Sequence, residues 1–128
     1  MANILGLGID IVDLERIRKA YERHGAAFAL RICTVDEWAY CARHTDPIAS
    51  LAARFSAKEA TAKALGTGIG EYASFTEIEV IRSESGAPAL KLHGNAAQTA
   101  QARGISAWQI SLTHSQSAAA ATVIALGD

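Results

Sequence analysis

The chain is short of cysteine, of net charge and of apolar runs long enough to span a membrane, and each shortage removes a class of function. Cys33 and Cys41 are the only cysteines and lie eight positions apart. They have no second pair to complete a zinc site and form no even ladder of the kind a disulfide framework needs, so reduced thiols in a cytoplasm are expected. Twelve basic and thirteen acidic residues leave a formal charge of −1. That balance lacks the general basic field of a nucleic-acid binder, and any charge recognition must be local. The N-terminus, MANILGLGIDIVDLER, has no basic leader and reaches acidic residues within ten positions. It reads as neither a signal peptide nor a spanning helix, so no membrane association is expected. Repeats, linkers and low-complexity segments are absent too. What remains is 128 residues, half of them hydrophobic, which suits a single domain over 1–128 with one ordinary core.

Local patterns predict an α+β domain. Ile4 to Val12 is an almost unbroken apolar run interrupted by Asp10, which predicts a strand buried on both faces. Leu14, Ile17 and Tyr21 recur at helical spacing, and Gly25 is placed to end that helix in a left-handed conformation. Thr34 and Glu37 form a T-x-x-E capping box that starts a second helix, which Thr45, Asp46 and Pro47 then interrupt. Ile48 to Leu65 is rich in helix formers and stops at Gly66, giving the longest helix. After the GTGIG loop (Gly66 to Gly70), Phe75 to Arg82 alternates like a strand with one wet face. Ala89 to His93 returns after a turn at Ser85, Gly86 and Pro88, and Asn95 to Arg103 reads as a short helix ended by Gly104. Trp108, Ile110 and Leu112 then alternate with Gln109, Ser111 and Thr113, before a last strand near Ala119 to Leu126.

Two carboxylates occupy positions where apolar side chains are expected. On a helical wheel Ile48, Leu51, Ala52, Phe55 and Ala62 form a stripe that contains Glu59, with Lys63 one turn on. A carboxylate facing a core is costly unless a cation, hydrogen-bond donors or a proton compensates it. An i,i+4 Glu–Lys pair at the core's edge is one account, but it leaves Asp10 unexplained. Mg²⁺ accounts for both acids, because it takes one or two protein carboxylates and fills its other positions with water and phosphate oxygens. Zinc is disfavoured without a cysteine or histidine cluster. Asp10 could instead cap the following helix, although Asp13 fits that place better.

Other signals are weaker. GTGIG could let backbone N–H groups approach phosphate oxygens, yet a helix-ending glycine and a turn give the same letters, and neither a Walker loop nor a dinucleotide fingerprint is present. Arg16, Lys19 and Arg23 make a basic ridge beside the apolar stripe of the first helix, either a solvated face or a guide for an acidic partner. His114 closes a strand, either bonded to backbone or contacting a substrate.

Two segments, GLGIDIVDLERI from Gly6 to Ile17 and ARFSAKEATAKALGTGIG from Ala53 to Gly70, resemble those of the holo-[acyl-carrier-protein] synthases, small single-domain phosphopantetheinyl transferases of bacteria. RICTVDEW, SFTEIEV, SGAPAL and ISLTH agree, so the resemblance spans the chain. It implies the phosphopantetheinyl transferase-like fold, in which a long central helix packs on a small, mostly antiparallel sheet. It also implies transfer of the 4'-phosphopantetheine arm of coenzyme A to a serine of apo acyl carrier protein, for fatty acid biosynthesis, releasing adenosine 3',5'-bisphosphate. By the same resemblance Asp10 and Glu59 bind Mg²⁺ with the pyrophosphate, and Lys63 lies near the phosphates. Arg54, Gly66, Gly68, Thr113 and His114 then belong to the coenzyme A site. A homotrimer is implied, with active sites between subunits and the first helix docking the acidic carrier through Arg16, Arg23 and, as a looser match, Lys19. The serine proton goes either to Glu59 or to a water on the cation. A cation holding Glu59 ionised weakens it as a base and favours the water. Ala53, Thr61 and Ala62 depart from the family pattern in ways that alter packing, and Arg43 to Ser50 diverges where relatives often carry basic residues that approach the adenosine phosphate. A Mg²⁺-dependent nucleotide hydrolase and a non-catalytic trimeric binding module are the competing readings.

Overall fold

The computed structural model describes residues 2–128. Strand β1 (Asn3–Asp13) leads into helices α1 (Leu14–His24), α2 (Ala26–Ile32), α3 (Val35–Ala42) and the long α4 (Ile48–Leu65). A hairpin of β2 (Ile78–Arg82) and β3 (Pro88–Leu92), the short helix α5 (Gly94–Ala102), and strands β4 (Ala107–His114) and β5 (Ala118–Gly127) follow. β1, β5 and β4 form an antiparallel sheet with β5 in the centre, while β2 and β3 pair only with each other. The α+β expectation holds, and α4 is its organising element. One core lies between α4, the sheet and α5; a second lies between α1, α2, α3 and the first half of α4.

Local chemistry explains the boundaries. Gly66 ends α4 at φ 82°, ψ 8°, its N–H returned to the helix, which is the left-handed stop a glycine supplies without strain. The capping box of α3 is complete: the Glu37 N–H donates to Thr34 Oγ1, and the Thr34 N–H donates to Glu37 Oε1. Asp13 does hold the N-cap position of α1, but its side chain makes no capping bond.

Four expectations are corrected. β1 is not buried on both faces, because Ile4, Leu7, Ile9 and Ile11 are 64–70% exposed. A register shift between Ile4 and Gly6 puts these large side chains on one outward face, leaving Gly6, Gly8, Asp10 and Val12 toward α4. Gly25 has positive φ (60°) but ψ −141°, outside the left-handed helical region, so the chain turns directly into α2, which the sequence reading missed. Phe75–Glu77 is a single 3-10 turn closed by Ser74 and Glu77, so the strand begins only at Ile78. Finally, α4 has no single apolar stripe holding Glu59. It is buried on most sides, and the charged residue at the centre of its buried surface is Lys58.

Candidate active site

The seam between β1 and α4 builds the site. A Cβ on Gly6 would stand 2.1 Å from the Ala64 carbonyl oxygen, and one on Gly8 only 1.8 Å from that of Ala60. Strand and helix backbones therefore touch, which only glycine on the strand permits. Two residues of strand advance about 6.6 Å and four residues of helix about 6 Å, so successive inward strand positions meet successive turns of α4. The next inward position is Asp10, beside the turn of α4 that carries Glu59, and the Lys63 side chain reaches it from one turn farther on.

Asp10, Glu59 and Lys63 are brought together there. Lys63 Nζ donates to the Ile9 carbonyl at 2.9 Å and to Asp10 Oδ1 at 3.3 Å. Asp10 Oδ2 is buried without a partner. Burial, and then the charge of Asp10, push the half-buried Glu59 carboxyl above its ordinary range, with Lys63 and Arg16 pulling the other way. Lys63 is the one cation that bonds to a carboxylate of the cluster, Arg16 acting on Glu59 through its charge alone. The unpartnered Asp10 oxygen and the all-oxygen donors fit a hard cation that takes one or two protein carboxylates, and Asp10 and Glu59 are the groups that would hold it. Arg16 belongs to this neighbourhood as well as to the basic ridge, its guanidinium lying 5.4 Å from the Phe55 ring centroid. Lys19 and Arg23 are exposed farther along α1.

A second locus lies on the opposite face of α4. Ser50 and Glu59 are nine residues apart, about 180° around a helix turning roughly 100° per residue. A groove of about 530 Å³ opens on the Ser50 side between α4, the end of β4 and the hairpin. Arg54, Thr113 and His114, expected together, do line it, joined by Tyr40, His44 and Arg82, which sequence reasoning had not singled out. Asp10, Glu59, Lys63, Gly66 and Gly68 do not line it. The Gly66 amide donates to Lys63 O, and those of Thr67 and Gly68 to Ala62 O, so these N–H groups close the helix.

Behind the groove sits the largest surprise. Lys58 is wholly buried, and its ammonium donates to Ile32 O (2.5 Å), Glu37 Oε1 (2.6 Å) and Phe75 O (2.9 Å), which uses all three protons. Glu37 Oε2 accepts from the Val80 N–H at 2.9 Å and lies 3.7 Å from Arg54 Nε. This buried set ties α2, α3, α4 and β2 together, and Lys58's place between Leu51 and Leu65 on the wheel was the signal for it. Arg103 plays a related part at the other end of α4. Its guanidinium donates to the last carbonyls, Ala64 O at 3.1 Å and Leu65 O, and to Leu5 O at 3.0 Å, binding the helix terminus to β1.

Comparison with known proteins places these features in context. Residues 6–123 match the model of the 4'-phosphopantetheinyl transferase superfamily. A holo-[acyl-carrier-protein] synthase of Yersinia pestis is 43% identical over 121 residues, covering 94% of this chain and 96% of that one. The crystal structure of the Neisseria meningitidis holo-[acyl-carrier-protein] synthase superposes with a TM-score of 0.89 at 36% identity, covering 96% of this chain and 98% of that one. The Helicobacter pylori synthase, solved in complex with coenzyme A, gives 0.82 at 33% identity, covering 93% and 98%.

Proposed function

Because the chain belongs to the 4'-phosphopantetheinyl transferase superfamily, we propose that it moves the phosphopantetheine arm of coenzyme A onto a serine of apo acyl carrier protein, with Mg²⁺ at Asp10 and Glu59. The observation that carries this reading is the β1–α4 seam, which sets two carboxylates side by side and leaves a buried Asp10 oxygen without a partner. When bound, the cation supplies charge neutralisation for the pyrophosphate. The protein's own part is positioning. Lys63, anchored on Ile9 O and Asp10, presents an ammonium half exposed to the phosphates, and Gly66 and Gly68 keep the neighbouring loop clear of side chains. Glu59 orients the incoming serine hydroxyl and is placed to take its proton as the serine oxygen bonds to the pantetheine-bearing phosphorus; the bond from that phosphorus to the bridging pyrophosphate oxygen breaks, and adenosine 3',5'-bisphosphate leaves.

The opposed faces of α4 support an active site shared between subunits. On this account one coenzyme A bridges the Asp10–Glu59 pair of one copy and the cationic groove of the next, because the groove of a chain does not include its own Asp10 and Glu59. In this reading Arg54, Thr113 and His114 meet the adenosine end, and Arg16, Lys19 and Arg23 on α1 receive the acidic carrier protein beside Glu59. The exposed apolar face of β1, continued on β5 by Ile124 opposite Leu7 and Leu126 opposite Ile4, is the surface on which a homotrimer would close. Among the described residues no helix is long and apolar enough to cross a membrane. The proposed transfer belongs to fatty acid biosynthesis in the cytoplasm.

The test is the intact mass of an apo acyl carrier protein incubated with this protein, coenzyme A and Mg²⁺, beside a Glu59→Gln variant. A phosphopantetheine mass increase that needs both Mg²⁺ and Glu59 is expected. No increase with several apo carriers, from a folded protein that still binds coenzyme A, would refute the proposal and leave a binding module.

A further inference from the structure

Tyr40 takes no part in the transfer chemistry, yet three of the four nitrogen bases lining the groove gather on it. Arg54 Cζ lies 4.8 Å from its ring centroid and Arg82 Cζ 5.0 Å. The His44 imidazole meets it edge-on at 5.3 Å. Two guanidinium groups repel each other, and an aromatic face is an uncharged surface that attracts both.

The charges behind the groove are unbalanced. Arg54 is only 5% exposed, and its Nε has no hydrogen-bond partner. The nearest carboxylate, Glu37, is 3.7 Å from it and is already held by Lys58 at 2.6 Å. Two cations therefore share one anion, and an excess positive charge faces the groove. Asp46, the groove's acid, is engaged by Arg18 at 2.9 Å and by the Ile48 N–H at 3.1 Å. Such a site selects an anion.

We propose that Tyr40 is a positioning residue for donor recognition: its ring collects Arg54 and Arg82 into a receptor for a phosphomonoester dianion, the 3'-phosphate of coenzyme A. This rests on the reading of the groove as the seat of the adenosine end. Tyr40 stands on the face of α4 opposite Glu59, so it governs the affinity for a 3'-phosphorylated donor and leaves the transfer step itself alone. The phenolic hydroxyl is not required, because the ring face makes the contacts.

The experiment measures transfer to apo acyl carrier protein with coenzyme A and with 3'-dephospho-coenzyme A, for the wild type, Tyr40→Phe and Tyr40→Leu. The wild type should prefer coenzyme A, and Tyr40→Phe should match it. Loss of two cation–π contacts in Tyr40→Leu should raise KM for coenzyme A about tenfold. KM for the dephospho donor should stay within about twofold, and kcat should hold for both. Arg82→Gln, at an exposed position, should reproduce the donor-specific rise and add little to Tyr40→Leu, which keeps the idea testable if the leucine variant folds poorly. An equal KM rise for both donors, a fall in kcat alone, or equal damage from phenylalanine and leucine would overturn the role of Tyr40. A wild type that uses both donors equally would remove the groove's assignment as well. A wild type that discriminates while Tyr40→Leu and Arg82→Gln change nothing would remove only Tyr40.

Discussion

Replacing Lys58 with methionine isolates the buried polar set from the rest of the fold. The substitution keeps an unbranched side chain in the same space but removes the ammonium from Ile32 O, Glu37 Oε1 and Phe75 O. Breaking a buried ion pair typically costs about 3–5 kcal/mol. Glu37 would keep the N–H groups of Thr34 and Val80, which argues for about 3 at that end. The two orphaned carbonyls add about 1 kcal/mol each at the low end of the range for unsatisfied buried groups. A loss near 5 kcal/mol is expected, a large share of the roughly 5–15 kcal/mol that holds a domain together. Urea unfolding at one fixed protein concentration would read this as a midpoint drop of about 2.5 M for a slope near 2 kcal/mol/M. Glu37→Leu combined with Lys58→Met should lose at least about 2 kcal/mol less than the two single changes summed, since the surviving partner's stranded charge is then gone. A single-variant loss below about 1 kcal/mol, or strict additivity, would refute the claim that this pair is coupled.

Three further outcomes follow from the geometry. Gly8→Ala should cost about 3 kcal/mol or more, because its Cβ would strike the Ala60 carbonyl, whereas Gly70→Ala, with nothing within 4 Å, should be nearly silent in the same thermal melt. Burial alone would raise the Glu79 carboxyl, but bonds from His93 at 2.9 Å and Thr34 at 3.0 Å hold it below its ordinary range. The native state thus binds fewer protons there than the unfolded chain. That stability is complete above the unfolded carboxylate value of about 4.3 and is lost as pH falls through the lower folded value. Glu79→Gln should accordingly cost about 1 kcal/mol at pH 7, with the gap closing in acid, and a gap that widens in acid would contradict the assignment. Ile9→Asp, on the outward face of β1, should convert an assembled species to a single chain in sedimentation while leaving the circular dichroism spectrum intact; an unchanged mass would remove this face from any assembly.

The sequence was most legible where local chemistry decides the outcome. The bounds of α1 and α4 follow from apolar spacing and a terminal glycine, and α3 from a capping box that forms as written. Asp10, Glu59 and Lys63 stood out as charges in apolar surroundings, and the fold does place them together. The reason was only half right. Asp10 faces inward because Gly6 and Gly8 surrender the buried side of β1 to a helix backbone, and a hydropathy pattern reads those glycines as breaks and the outward Leu7, Ile9 and Ile11 as core. The pattern marks Glu59 as the buried charge of α4, yet its neighbour Lys58 holds that place, since partners 17 to 26 residues away decide which cation can be buried. Tyr40 and Arg82 became site residues only when β2 and α3 met over α4, a juxtaposition with no local signature.

The contact of two main chains at Gly6 and Gly8 also sets the tolerances of the molecule. Where side chains mediate packing, a substitution shifts neighbouring elements by a fraction of an ångström, and functional groups drift with them. Here a carbonyl of one element bears on the Cα of the other, so the spacing is gauged by atoms that every residue shares. Most replacements elsewhere along β1 and α4 leave that gauge unaltered. A single-residue insertion between Ala60 and Lys63 would not, since it would swing Lys63 about 100° around the helix relative to Glu59. Changes of length, far more than changes of letter, are what this site cannot absorb.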